Sequence, residues 1–180
     1  MTGKEINMAD AVNKAMRKYL GHLLDANMDL TYKNTDYVLL GADLEEYVVD
    51  LSVDVEKKEN ILNEKSVNYN EYDVGADVDP FYYKYNDALS RNVLDIALER
   101  KRNEECMTSY LDVLMEPPAD LGSTPKVIKA YREDVYIIPQ SYGGDPSGIQ
   151  IPFRLEFTGR RVKGMYDLIT KEFTADGVGL

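Results

Sequence analysis

Cysteine and histidine are almost missing from this chain: 180 residues contain one of each, Cys106 and His22. A lone thiol forms no intramolecular disulfide and builds no cysteine-type zinc site. His22 lies in the apolar string Leu20-Gly21-His22-Leu23-Leu24, and nothing nearby in sequence orients it as a base, so packing or a surface position is its expected role. Long apolar runs are missing as well, since none approaches the roughly 20 residues that span a bilayer. The opening MTGKEINMADAV lacks the apolar centre of a secretory leader, so export by the general secretory route is not expected. No glycine-rich phosphate loop, nucleophile elbow or HExxH occurs. Gly143-Gly144 follows an apolar run, but turn residues come next, where a phosphate cradle needs a helix start. Asp73, Asp77 and Asp79 lack EF-hand spacing and read as an acidic turn. No acid/base pair singles itself out among the carboxylates. The expectation is a protein without catalytic residues, cofactor or metal.

Positive charge is also in deficit. Lysine and arginine total 21 against 32 aspartates and glutamates, a net charge of −11. That balance opposes nucleic-acid binding by phosphate neutralisation. It suits solubility or, more sharply, a surface that must repel a polyanion. Hydrophobic residues at 44% and charged residues at 29% describe an ordinary globular chain. No linker, repeat or low-complexity block divides it, so one domain over residues 1–180 is expected.

What is present is alternation. From Ile149 to Phe157, Ile149, Ile151, Phe153, Leu155 and Phe157 point one way and Gln150, Pro152, Arg154 and Glu156 the other. A period of two is a half-buried strand. Pro152 cannot donate a ladder hydrogen bond there and predicts an edge or a bulge. An apolar edge needs a cover, often a neighbouring subunit. Val135–Ile138 is a similar run, joined to the first by the turn-rich Gly143–Gly148. Tyr37–Leu40, Tyr47–Val55, Met107–Met115, Lys126–Ile138 and Val162–Phe173 also read as strands.

One strong helix is expected. Leu89, Val93, Ile96, Ala97 and Arg100 share a face after a cap at Asn86 or Asp87, giving a helix near 87–101. Val12, Met16, Tyr19, Leu20 and Leu23 also fit a helical stripe capped by Asp10. Lys18–Asp25 is short enough for a strand, but periodicity favours helix. Glu56-Lys57-Lys58-Glu59-Asn60 reads as a solvated loop. Asn60–Tyr85 is polar and tyrosine-rich, either a connection engaged by a partner or, over Ser66–Val74, one more strand.

Several strings together resemble the major tail tube protein of tailed bacteriophages of Gram-positive hosts. They are Tyr131-Arg132-Glu133-Asp134-Val135, Ile138-Pro139-Gln140-Ser141-Tyr142-Gly143-Gly144-Asp145, Gln150-Ile151-Pro152-Phe153 and Gly159-Arg160-Arg161-Val162-Lys163-Gly164. Arg17-Lys18-Tyr19-Leu20, Tyr37-Val38-Leu39-Leu40-Gly41, Glu56 to Glu64 and Asp79-Pro80-Phe81-Tyr82-Tyr83 agree with it in order, so the likeness spans roughly residues 15 to 173. It implies a mainly β (α+β) chain, a β-sandwich or barrel-like fold with one helix, and a strand at Lys18–Asp25. It also implies hexameric rings stacked into a tube that conducts double-stranded DNA without tight binding. Expected partners are other copies of the chain, a tape-measure protein, a tail terminator and a distal tail protein. No membrane partner is expected. The place would be the virion tail, with assembly in the host cytoplasm. On this resemblance residues 1–14 form a flexible arm, 56–80 a long inter-subunit loop and 174–180 a mobile tail. The inter-subunit candidates are Glu56, Lys57, Lys58, Tyr69, Tyr72, Tyr82, Tyr83 and Pro152. A distal tail or terminator ring, or the tube of a contractile injection system, is the alternative.

Overall fold

The structure, a computed structural model, describes residues 15–177. The expected arm at 1–14, the cap at Asp10 and the tail end at 178–180 lie outside those residues. The chain is mainly β with one α-helix among the described residues. In order it forms β1 (Leu20–Asp25), β2 (Tyr37–Leu39), β3 (Val49–Glu59), β4 (Lys65–Val78), α1 (Ala88–Glu99), β5 (Met107–Glu116) and β6 (Lys126–Pro139). There follow β7 (Gly143–Asp145), β8 (Gly148–Gln150), β9 (Phe153–Phe157), β10 (Val162–Tyr166) and β11 (Phe173–Ala175). Nine of these strands make one antiparallel sheet in the order β2-β1-β5-β6-β9-β4-β3, with β10 on β6 and β11 on β10. Strands β7 and β8 form a separate hairpin.

Strand β6 is the spine. One edge pairs with β5 along most of its length; the other is shared, with β10 opposite Ala130–Arg132 and β9 opposite Val135–Pro139. The sheet therefore branches, and each branch covers a different core. Leu24, Val135, Ile137, Phe153 and Leu155 pack beneath α1, whose Leu89, Val93 and Ile96 fill the facing stripe. On the opposite face Leu23, Leu111, Val113 and Ala130 meet Tyr37 and Tyr166. Each fully buried large aliphatic among these removes enough apolar surface from water to contribute about 1.5–3 kcal/mol.

The helix forms where its pattern placed it. Asp87 is the N-cap, its carboxylate accepting the Ser90 N–H, and Arg100 closes the helix in the left-handed conformation. The loop 26–36 is tied down by Asp25, wholly buried, whose carboxylate accepts the N–H groups of Asn27, Asp29 and Asp36 at 3.1, 2.8 and 2.7 Å.

Four expectations change. Residues 20–25 are a strand after a short 3-10 turn at Arg17–Tyr19, not the helix that periodicity favours. Pairing on both sides, to β2 and β5, outweighs local preference there. The run Ile149–Phe157 is not one strand. Pro152, lacking an N–H, falls at the break between β8 and β9, where its carbonyl accepts the Gln140 N–H. Nor is Pro152 on an edge, since β9 lies between β6 and β4. The segment 56–80 is no loop. It completes β3 and supplies all of β4, so the Ser66–Val74 strand reading holds and the solvated-loop reading of Glu56–Asn60 does not. Finally, Val162–Phe173 folds as two strands, and Thr174-Ala175 of the expected mobile tail belong to β11.

Candidate self-assembly surface

Strand β4 pairs with β9 only over Gly75–Val78, where Gly75 leaves room for the Arg154 guanidinium to cross the strand toward Asp77, 3.2 Å away. Beyond that root, β3 and β4 pair only with each other. At about 3.3 Å per residue, Leu51–Glu59 carries this arm roughly 25–30 Å outward.

Register gives the arm two unlike faces. Leu51 lies opposite Val74, Val53 opposite Tyr72, Val55 opposite Tyr69 and Lys57 opposite Val67. Residues directly opposite share a face, so one face is an apolar ladder. The other carries the pairs Asp50–Gly75, Ser52–Asp73, Glu56–Asn68 and Lys58–Ser66. The apolar face is uncovered: Leu51 is 56% exposed, Val55 45%, Tyr69 63% and Tyr72 58%. At the root this face runs into a cavity of about 1020 Å³, whose wall includes Val49, Leu51, Tyr72, Val74, Leu114 and Phe157.

The arm ends in a fastened turn. The Asn60 carboxamide oxygen accepts the N–H groups of Leu62 and Glu64, and its amide donates to the Glu64 carboxylate at 2.6 Å. Asn63 takes a positive φ to close the loop. The fixed turn holds Ile61 and Leu62 out in water, 99% and 73% exposed.

The expected inter-subunit residues thus separate into two groups. Glu56, Lys57, Lys58, Tyr69 and Tyr72 all lie on the arm and are exposed. Tyr82, Tyr83 and Pro152 do not join them. Segment 81–83 zips against 149–151, with Tyr83 N–H donating to the Ile149 carbonyl and Ile151 N–H to the Phe81 carbonyl. Tyr82 accepts from the Gln150 side chain, and Tyr83 packs on the core beneath α1.

At the cavity floor sits a polar cluster that no local sequence signal announces. His22 Nδ1 lies 2.7 Å from the Asp112 carboxylate, beside the Tyr110 hydroxyl. Arg161 reaches Asp112 at 2.6 Å and Glu133 at 3.4 Å. Burial alone would raise the Asp112 pKa, but the hydrogen bonds from His22 and Arg161 prevail and hold it below its ordinary value. An ionised Asp112 makes Nδ1 the proton-bearing nitrogen, donating to the carboxylate. Burial drives the Tyr47 and Tyr110 phenols strongly upward, so both stay protonated. The cluster ties β1, β5, β6 and the turn after β9 through hydrogen bonds and ion pairs. Of the packed and surface positions expected of it, His22 takes the packed one, beside Tyr47 and Tyr110. The clue available in the sequence was parity, since His22 and Asp112 fall in step with apolar Leu24 and Tyr110.

Among the described residues, no group of three or more His, Cys, Asp or Glu side chains converges as a metal site, and no helix is long and apolar enough to cross a membrane. No protein-family model matches the chain, and no curated protein is found as a relative.

Proposed function

We propose that this chain is a self-assembling structural subunit of the bacteriophage tail-tube kind, whose copies form hexameric rings that stack into a conduit for double-stranded DNA. The observation that carries the reading is the uncovered apolar ladder of the β3–β4 arm. An isolated two-stranded ribbon is marginal in water, and a contiguous exposed apolar face marks an interaction surface. Within the described residues nothing covers that ladder. A head-to-tail contact between identical copies would cover it and would repeat without closing along the tube axis. The net charge of −11 fits a conduit, because a basic wall would hold DNA by counterion release where an acidic one lets it slide. The motif resemblance over residues 15 to 173 supports the choice of tail tube over other assemblies.

Negative-stain electron microscopy of the purified chain across a concentration series tests this. The expected result is hollow tubes or stacked rings with a central channel. Single closed rings that never stack would assign the chain to a terminator or distal tail position. A monomer at every concentration would contradict self-assembly.

A further inference from the structure

The arm joins the body through very little. Four residues of β4, Gly75–Val78, pair with β9, and β3 reaches the sheet only through β4. Ala76 and Val78 are buried, so the root itself is seated. Gly75 is the outermost residue of that ladder, where β4 leaves the body. The point of departure is thus the one residue of β4 with no side chain to restrict its backbone.

Neither face of the ribbon is braced by packed core just beyond Gly75. The apolar side, at Leu51, Tyr72 and Val74, opens on the cavity of about 1020 Å³. On the polar side, register sets Glu156 of β9, Gly75 of β4 and Asp50 of β3 in one row across three strands. With strands about 4.8 Å apart, the two acidic residues stand roughly 10 Å from each other with bare backbone between them.

One side chain fills that gap. Arg154, opposite Asp77 in the next row, lays its guanidinium over Gly75, so close that a methyl group there would overlap it. Its Nε donates to the Glu156 carboxylate and its Nη1 to that of Asp77 at 3.2 Å, one partner on the body and one on the arm root. Arg154 is also the sole cation lining a groove that carries Asp43, Glu45, Glu46, Asp50, Asp77 and Asp79. A glycine inside a strand often marks the close approach of another group. Here that group is a planar fork of donors, which can hold two carboxylates at once in fixed geometry. Both ion pairs are partly exposed and add little to global stability. What they fix is direction.

We infer that Arg154 is the pin that sets the direction of the β3–β4 arm. Its guanidinium takes the place of the side chain that Gly75 lacks and braces the root between β9 and β4. Without it, the backbone at Gly75 is free on both faces, and Glu156, Asp77 and Asp50 face one another with no cation between them. The arm then swings while the body stays folded. The pin acts within one copy and does not depend on the self-assembly reading. Where copies assemble, it presents the apolar ladder already oriented.

Distances between paired spin labels test the pin in the full-length chain carrying Cys106→Ser. Labelled chains are diluted into unlabelled ones, so that only distances within one copy are read. One pair, Leu62→Cys with Leu98→Cys, spans the arm tip and α1; another, Leu98→Cys with Met165→Cys, lies within the body, and all three positions are exposed. Arg154→Gln is expected to broaden the tip-to-body distribution about twofold or more and to leave the body pair unchanged. Equal tip-to-body widths with and without Arg154 would overturn the pin, as would equal broadening of both pairs, the mark of a general loosening. Should Arg154→Gln fail to fold, Asp77→Asn with Glu156→Gln removes both anchors and keeps the guanidinium. The same selective broadening is expected, and a distribution as narrow as that of wild type would overturn the pin. Sedimentation of the same chains separates this claim from the reading above. Selective broadening in a protein whose wild type stays monomeric at every concentration keeps the pin and removes self-assembly. Assembly with arm distances indifferent to Arg154 removes the pin alone.

Discussion

Strands β3 and β9 are written in the same pattern and live in opposite surroundings. In β9 and the residue pair before it, Ile151, Phe153 and Leu155 alternate with polar neighbours and are at most 1% exposed. In β3, Leu51, Val53 and Val55 alternate just as cleanly and are 39–56% exposed. The difference lies in what faces them. Helix α1 and the neighbouring strands close over β9, while beyond its root the apolar side of the arm is left uncovered among the described residues. Alternation therefore reports that residues share a face, and leaves open whether the cover comes from the same chain or another copy.

If this contrast is right, the same kind of substitution has different consequences in the two places. The largest loss of monomer stability belongs to the body. Leu155→Ala leaves a cavity under α1 and is expected to cost about 2–5 kcal/mol in denaturant unfolding. Asp25→Ala comes next, because three backbone N–H groups lose their buried acceptor; a loss of about 2–3 kcal/mol is expected by the same measurement.

The polar cluster gives a smaller, pH-dependent term. The folded Asp112 pKa lies below its ordinary value. Its stabilisation is therefore fully present above about pH 4 and is lost as pH falls through the lower folded value. Asp112→Asn is expected to be less stable near neutrality and to show a flatter loss of melting temperature between pH 5 and pH 2, on the order of one residue's contribution. An unchanged acid limb would show that Asp112 is not coupled to His22 and Arg161.

The smallest stability effect belongs to the arm. Val53→Ser with Tyr69→Ser removes side chains that are already in water, so monomer stability should move by no more than about 0.5 kcal/mol. Assembly should nonetheless be lost. A large loss of monomer stability would show that the arm packs on its own body and would erase the contrast.

Sequence patterns made the body readable wherever the deciding contacts were local. Asp87 and the Leu89–Val93–Ile96 spacing located α1 because a helix carries its own hydrogen bonds and cap. Strand β1 was misread by periodicity because its identity depends on partners at Tyr37–Leu39 and Tyr110–Leu114. The arm was obscured by its own composition. Glu56-Lys57-Lys58-Glu59 looks like a solvated tract, yet cross-strand pairing with Lys65–Asn68 makes it regular strand. The His22 cluster was out of reach for another reason: its contacts join residues 28 to 90 apart in sequence and form only once β1, β5 and β6 are in register. Pro152 did mark an interruption, but its place in the middle of the sheet came from β4 closing against β9, a pairing no local signal encodes.

Sedimentation velocity of wild type beside the Val53→Ser, Tyr69→Ser chain, at matched concentrations, tests the central claim most directly. The account predicts that wild type forms concentration-dependent assemblies while the variant stays a 20.5 kDa monomer with an unchanged melting temperature. A variant that assembles as wild type does would contradict it, and would show that the apolar ladder of the arm is not the surface through which copies of this chain meet.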